Sequence, residues 1–122
     1  MFTASGSERY KAMDMNVYQQ LAARTIKKSL LRWEQIDHAL HGMAAELGEV
    51  NGIYQKTYQG HELNEEHLKK EIGDLLWFIA EYCTGNCWLL GDIAQMNIDK
   101  LKARYPEGFD SERSLNRQAN DI

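Results

Sequence analysis

Four carboxylates stand in two pairs of the same spacing: Glu46 and Glu49 in ELGEV, Glu71 and Asp74 in EIGDL. The pentamers lie 25 residues apart, and the match runs outward through Met43 with Leu68, Leu47 with Ile72, Val50 with Leu75, and Tyr54 with Ile79. At about 100° per residue on a helix, each pair flanks its own apolar arc on the same side, the second acid about 60° beyond the first. Helices packed antiparallel through those arcs would bring four carboxylates onto one strip. Like charges about 5 Å apart repel by roughly 3 kcal/mol per pair at an effective dielectric near 20. Such a cluster requires a cation or a proton. Oxygen donors without Cys or His favour a hard ion, Mg²⁺ or Mn²⁺, which leaves positions open for substrate phosphates. Gly48 and Gly73, inside the pentamers, cost about 1 kcal/mol each in a helix, and point to tight helix packing there.

A di-iron bundle would need Glu-x-x-His on two helices, which neither pair offers. His38 and His41, one turn apart, are expected as partly exposed helix residues, and His61 and His67 sit in or beside a loop with no usable pattern. Asn97 interrupts the apolar stripe of the last long helix and is followed by Lys100 and Arg104. Either Asn97 is a satisfied polar group with two solvated cations behind it, or the three present an amide and two charges to a phosphate-bearing ligand. Lys56, beyond Glu49 and Ile53 on the acid face, is open to the same two readings. Trp77 and Trp33 have the surface to stack a base, although a Trp within LLWFIA also suits a core.

The elements that must position these residues follow from period-3.6 patterning; almost nothing alternates with period two. Helices are expected over about 14–31, 33–57, 65–84 and 89–105. Asn64 is the N-cap of the third, with Glu65 and Glu66 at its positive end. Gly85-Asn86 stops that helix and Pro106 limits the fourth. The expectation is all-α: a four-helix bundle with short connections. It forms a single domain over 1–122, with a core of about 14–105 and a polar tail, 106–122, of low helical content.

At 122 residues, 43% hydrophobic and 26% charged, the chain has an ordinary globular composition. Its net charge of −4 argues against a nucleic-acid polymer as partner, though a local basic cluster can still bind a small anion. Cys83 and Cys87 make no disulfide framework and are expected as reduced thiols. MFTASGSERY lacks the apolar core of a signal peptide, and LLWFIA is far short of the ~20 residues a membrane span needs. A cytoplasmic protein with no membrane partner is expected.

Taken in order, ELGEV, EIGDLLWFIA and NIDKLKARYPEGF resemble the MazG-like, all-α nucleoside triphosphate pyrophosphohydrolases. Their signature, E-x-x-E and then E-x-x-D, is filled by Glu46, Glu49, Glu71 and Asp74. The closing N-x-x-K-L-x-x-R-Y-P falls on Asn97, Lys100, Leu101, Arg104, Tyr105 and Pro106, and YQQLAART is similar to the family's first helix. The resemblance covers roughly 16–110. It implies hydrolysis of a (d)NTP between the α- and β-phosphates, giving (d)NMP and pyrophosphate, with Mg²⁺ held by the four acids. It also implies a homodimer or homotetramer (a dimer of dimers) and a role in nucleotide-pool housecleaning. On that reading Glu49, or else Glu46, orients the attacking water, and Lys56, Lys100 and Arg104 clamp the outer phosphates, beside Asn97 and Trp77. Two rivals stay open: a non-catalytic helical oligomerisation module, and a protein that binds a nucleotide or metal without turning it over. Base and sugar preference is not legible.

Overall fold

The computed structural model describes residues 12–118 and 121–122; the opening MFTASGSERY, read above for targeting, lies outside them. The described residues hold five helices and no strand: α1 (Met15–Ala23), α2 (Arg32–Thr57), α3 (Glu65–Gly85), α4 (Leu90–Arg104) and α5 (Ser111–Leu115). The all-α expectation holds. No helix among the described residues is long and apolar enough to cross a membrane.

Local chemistry sets the ends. The Asp14 carboxylate accepts from the backbone N–H groups of Asn16 and Val17, at 2.9 and 3.0 Å, and starts α1. Asn64 does the same for α3 by accepting from His67 N at 3.0 Å. The first helix stops at Ala23, eight residues short of expectation. Thr25 directs both its backbone N–H (3.0 Å) and its hydroxyl (2.7 Å) at the Ala22 carbonyl, so the chain tightens into turns that lead to α2. The tail, expected to have low helical content, carries one short helix. Asp110 accepts from Glu112 N and Arg113 N and nucleates α5, a cap signal present in the sequence.

Two compact units result, one ending at Leu90 and one beginning at Gly91. In the first, α2 and α1 both pack on α3. Ala22, Ala80, Cys83 and Leu90 form its core, covered by Tyr18, Leu76, Trp77 and Ile79. Buried Gln19 ties α1 down with every side-chain polar atom used. Its amide donates to Trp88 O (2.8 Å) and Thr84 Oγ1 (3.2 Å), and its carbonyl accepts from Leu90 N (2.8 Å).

The α2–α3 pair is antiparallel, as the pairings of Ile36 with Gly85, His38 with Glu81 and Gly42 with Phe78 require. It does not pack through the expected apolar arcs. Leu47, Tyr54 and Ile72 are 52%, 48% and 49% exposed. The buried face of α2 is instead Ala39, Gly42 and Ile53, one step round, because small residues let the backbones approach. A Cβ on Gly42 would sit 2.2 Å from the Phe78 ring, whereas Gly48 and Gly73 have open space where a Cβ would be. The close approach expected at the pentamer glycines therefore occurs at Gly42 and Gly85.

Candidate metal centre

The stripe that α2 turns toward α3 runs Ala39, Gly42, Glu46, Glu49, Ile53; the stripe returned by α3 runs Glu71, Asp74, Phe78, Glu81, Gly85. Both acid pairs thus fall in register with the helix contact. One carboxylate oxygen from each of Glu46, Glu71 and Asp74 lies within 4.8 Å of the others. Glu46 and Glu71 are half-buried and Asp74 is exposed. Glu49, also exposed, lies outside that trio, but its charge acts on Glu46.

Glu46 carries the electrostatic cost of this crowding. Its carboxyl is pushed up to about 7, chiefly by a hydrogen bond with Glu71, then by burial and by the charges of Glu71, Asp74 and Glu49. Its Oε2 is buried without a hydrogen-bond partner among the described residues. Three clustered carboxylates, one of them with an orphaned acceptor, make an all-oxygen donor set suited to a hard divalent cation, so the residues present fit Mg²⁺ or Mn²⁺.

The surroundings hold residues that sequence reasoning passed over. His67 Nε2 meets Glu71 Oε1 at 2.9 Å, an i, i+4 pair legible on a helix. Tyr18 of α1 stands near enough to Asp74 that burial, and then that charge, push its phenol up. A phenol held protonated there can donate to a carboxylate or phosphate oxygen. The approach of Tyr18 to Asp74, between distant parts of the chain, has no sequence signal.

The other expected residues are placed as follows. Lys56 lines a cavity of about 220 Å³ with Ile53, His61, Asn64 and His67, and through His67 this cavity adjoins Glu71. Trp77 donates its indole N–H to Thr25 Oγ1 (2.8 Å), meets Phe78 edge-on and packs against the core. Asn97 and Lys100 are exposed on α4 of the second unit. Arg104 there grips Asp121 with Nε to Oδ2 at 2.9 Å and Nη2 to Oδ1 at 2.5 Å. His41 lies 3.3 Å from Asp37 on the surface. His38 Nδ1 meets Oε1 of fully buried Glu81 at 2.7 Å, and Glu81 Oε2 has no partner among the described residues. Neither histidine belongs to the acid trio. Cys83 is a buried free thiol, pushed up by burial, and Cys87 is a free exposed one.

Acids from two antiparallel helices thus converge in an all-helical protein, a helical carboxylate cluster. More particularly, residues 23–109 match the family described as the MazG nucleotide pyrophosphohydrolase domain, and the chain belongs to that family. The matched span contains both acid pairs and the whole of α2, α3 and α4. The chain is also similar to the Gene 37 protein of Mycobacterium phage L5, with 25% identity over 80 residues, covering 62% of this chain and 70% of that protein. No solved structure matches it.

Proposed function

We propose that the protein is a Mg²⁺-dependent nucleoside triphosphate pyrophosphohydrolase, cleaving (d)NTP between the α- and β-phosphates to (d)NMP and pyrophosphate. The observation that carries this reading is the convergence of Glu46, Glu71 and Asp74, with one Glu46 oxygen left without a partner. These three would hold the ion, with Glu49 as the adjoining fourth acid. When bound, a divalent cation there supplies charge to phosphoryl oxygens and makes a bound water more acidic.

The chain's own residues do the rest. Glu49, outside the trio and exposed, is free to accept a proton from a water and orient it; Glu46 is the second choice. Lys56, in the cavity beside His67, faces the outer phosphates. His67 fixes the Glu71 carboxylate by its hydrogen bond. Asn97, Lys100 and Arg104 complete the phosphate contacts by family resemblance. Trp77, with its N–H committed to Thr25, serves the core.

The half-exposed Leu47, Tyr54 and Ile72 support self-association as a dimer or dimer of dimers, since a second copy would cover a face rich in apolar surface. The chain works as one domain over 1–122 in a reducing, cytoplasmic compartment, consistent with two free thiols.

The test incubates purified protein with each common (d)NTP, with and without Mg²⁺, and measures pyrophosphate and orthophosphate separately. Pyrophosphate with monophosphate, only with metal, is the expected result. The substitution Glu71→Gln should abolish it with the fold retained by circular dichroism. Wild-type turnover in that variant would sink the assignment.

A further inference from the structure

The second unit contains a basic cavity of which the pyrophosphohydrolase reading uses Arg104 alone. It measures about 130 Å³ and is lined by Arg104, Arg113, Asn116, Arg117 and Asp121 among others. Asp121 is its carboxylate, held by the two-point contact from Arg104. Arg117 and Lys100 act on the same carboxylate through their charge, and with Arg104 they hold it below the ordinary Asp range. Three guanidinium groups therefore line the cavity with one carboxylate. Neither Arg113 nor Arg117 has a carboxylate within ion-pair range among the described residues.

This imbalance has a chemical meaning in a chain whose net charge is −4. A guanidinium fork fits carboxylate and phosphate oxygens equally in shape, so Asp121 sits where a phosphate would. It neutralises one positive charge of three. A phosphate group, with more charge and more acceptor oxygens, satisfies Arg104 and also engages Arg113 and Arg117. Carboxylate–Arg pairs near the surface are weak enough to be exchanged.

We infer that this cavity is an anion site for a phosphate-bearing small molecule, and that Asp121 is a built-in competitor that such a ligand must displace from Arg104. The ligand class rests on the pyrophosphohydrolase reading; the site and its plug rest on the geometry. In this arrangement the tail sets a threshold, so that weakly charged anions are turned away and polyphosphates are admitted.

The experiment titrates inorganic pyrophosphate into the full chain by calorimetry, at low salt and with EDTA present, so that the acid cluster holds no metal and repels the probe. Asp121→Asn removes the competing charge and should tighten binding by about fivefold to tenfold. The double variant R113Q/R117Q keeps the Arg104–Asp121 pair and should bind more weakly than wild type. Unchanged or weaker binding in D121N overturns the proposal. So does wild-type affinity in R113Q/R117Q, which also decides the matter if D121N fails to fold. A chain that behaves as expected here but releases no pyrophosphate from any triphosphate sinks the hydrolase reading alone.

Discussion

Glu46 offers the sharpest quantitative test of the acid cluster. In an unfolded chain its carboxyl ionises at 4.5; in the fold it does so at about 7. At 1.36 kcal/mol per pKa unit the full difference is about 3 kcal/mol, and solvent access to this half-buried group reduces it to roughly 1–2 kcal/mol. The sign follows from which state holds the proton. Between pH 4.5 and about 7 the unfolded chain has released it while the folded chain has kept it. Metal-free stability therefore falls as pH rises through that window and levels off above it. Glu46→Gln carries no titrating proton at this position and should lose that part of the slope. Urea unfolding in EDTA from pH 5 to 8 measures both proteins. The difference between them should change by about 1–2 kcal/mol across the window, which in thermal unfolding is several degrees. Added Mg²⁺ should reverse the trend in wild type, stabilising more at pH 8 than at pH 5.5, because the ion and the proton compete for the same oxygens. Parallel pH profiles for wild type and E46Q would refute the crowding on which the metal centre is argued.

Other variants probe the scaffold around the cluster. Gly42→Ala drives a methyl into the Phe78 ring and should cost about 1–3 kcal/mol, whereas Gly48→Ala, with open space, should add up to about 1 kcal/mol; chemical denaturation of both checks the contrast. His38→Ala strips the hydrogen-bond partner from buried Glu81 and should cost about 2–3 kcal/mol. Replacing both members of that pair by apolar residues should recover most of the loss, and a double-mutant cycle by unfolding reads this directly. Gln19→Leu abandons three hydrogen bonds between α1 and the α3–α4 turn and should lower the thermal midpoint by several degrees.

The chemistry was legible because it lies in spacing. Two acids three apart share a helical face whatever the helix packs against, and a near-repeat of the pentamer, with the acids at the same spacing, put both pairs in the same phase. Punctuation was legible for the same local reason: Asn64, Gly85-Asn86 and Pro106 act on their own backbone. The extra turn at α5 was also encoded locally, in Asp110. The α1 boundary was harder, since the apolar spacing continues past Ala23 and the Thr25 hydroxyl competes for a backbone carbonyl only once the chain has turned.

What each helix buries was decided by tertiary structure alone. Hydrophobic periodicity located the greasiest arc of α2, at Leu47 and Tyr54, yet close packing selects for shape as well as polarity, and the ring of Phe78 needed the missing side chain of Gly42. That choice rotated the acids into the helix contact, where three carboxylates crowd and one becomes hard to ionise. The partner of Arg104 was likewise beyond sequence reasoning. An arginine's charge announces that it will find an anion, but only the folding back of the tail determined that the anion would be Asp121, 17 residues away. Residue types and spacing determined what chemistry this chain can do; the three-dimensional approach of side chains distant in sequence determined where the charge is strained and which cations are already occupied.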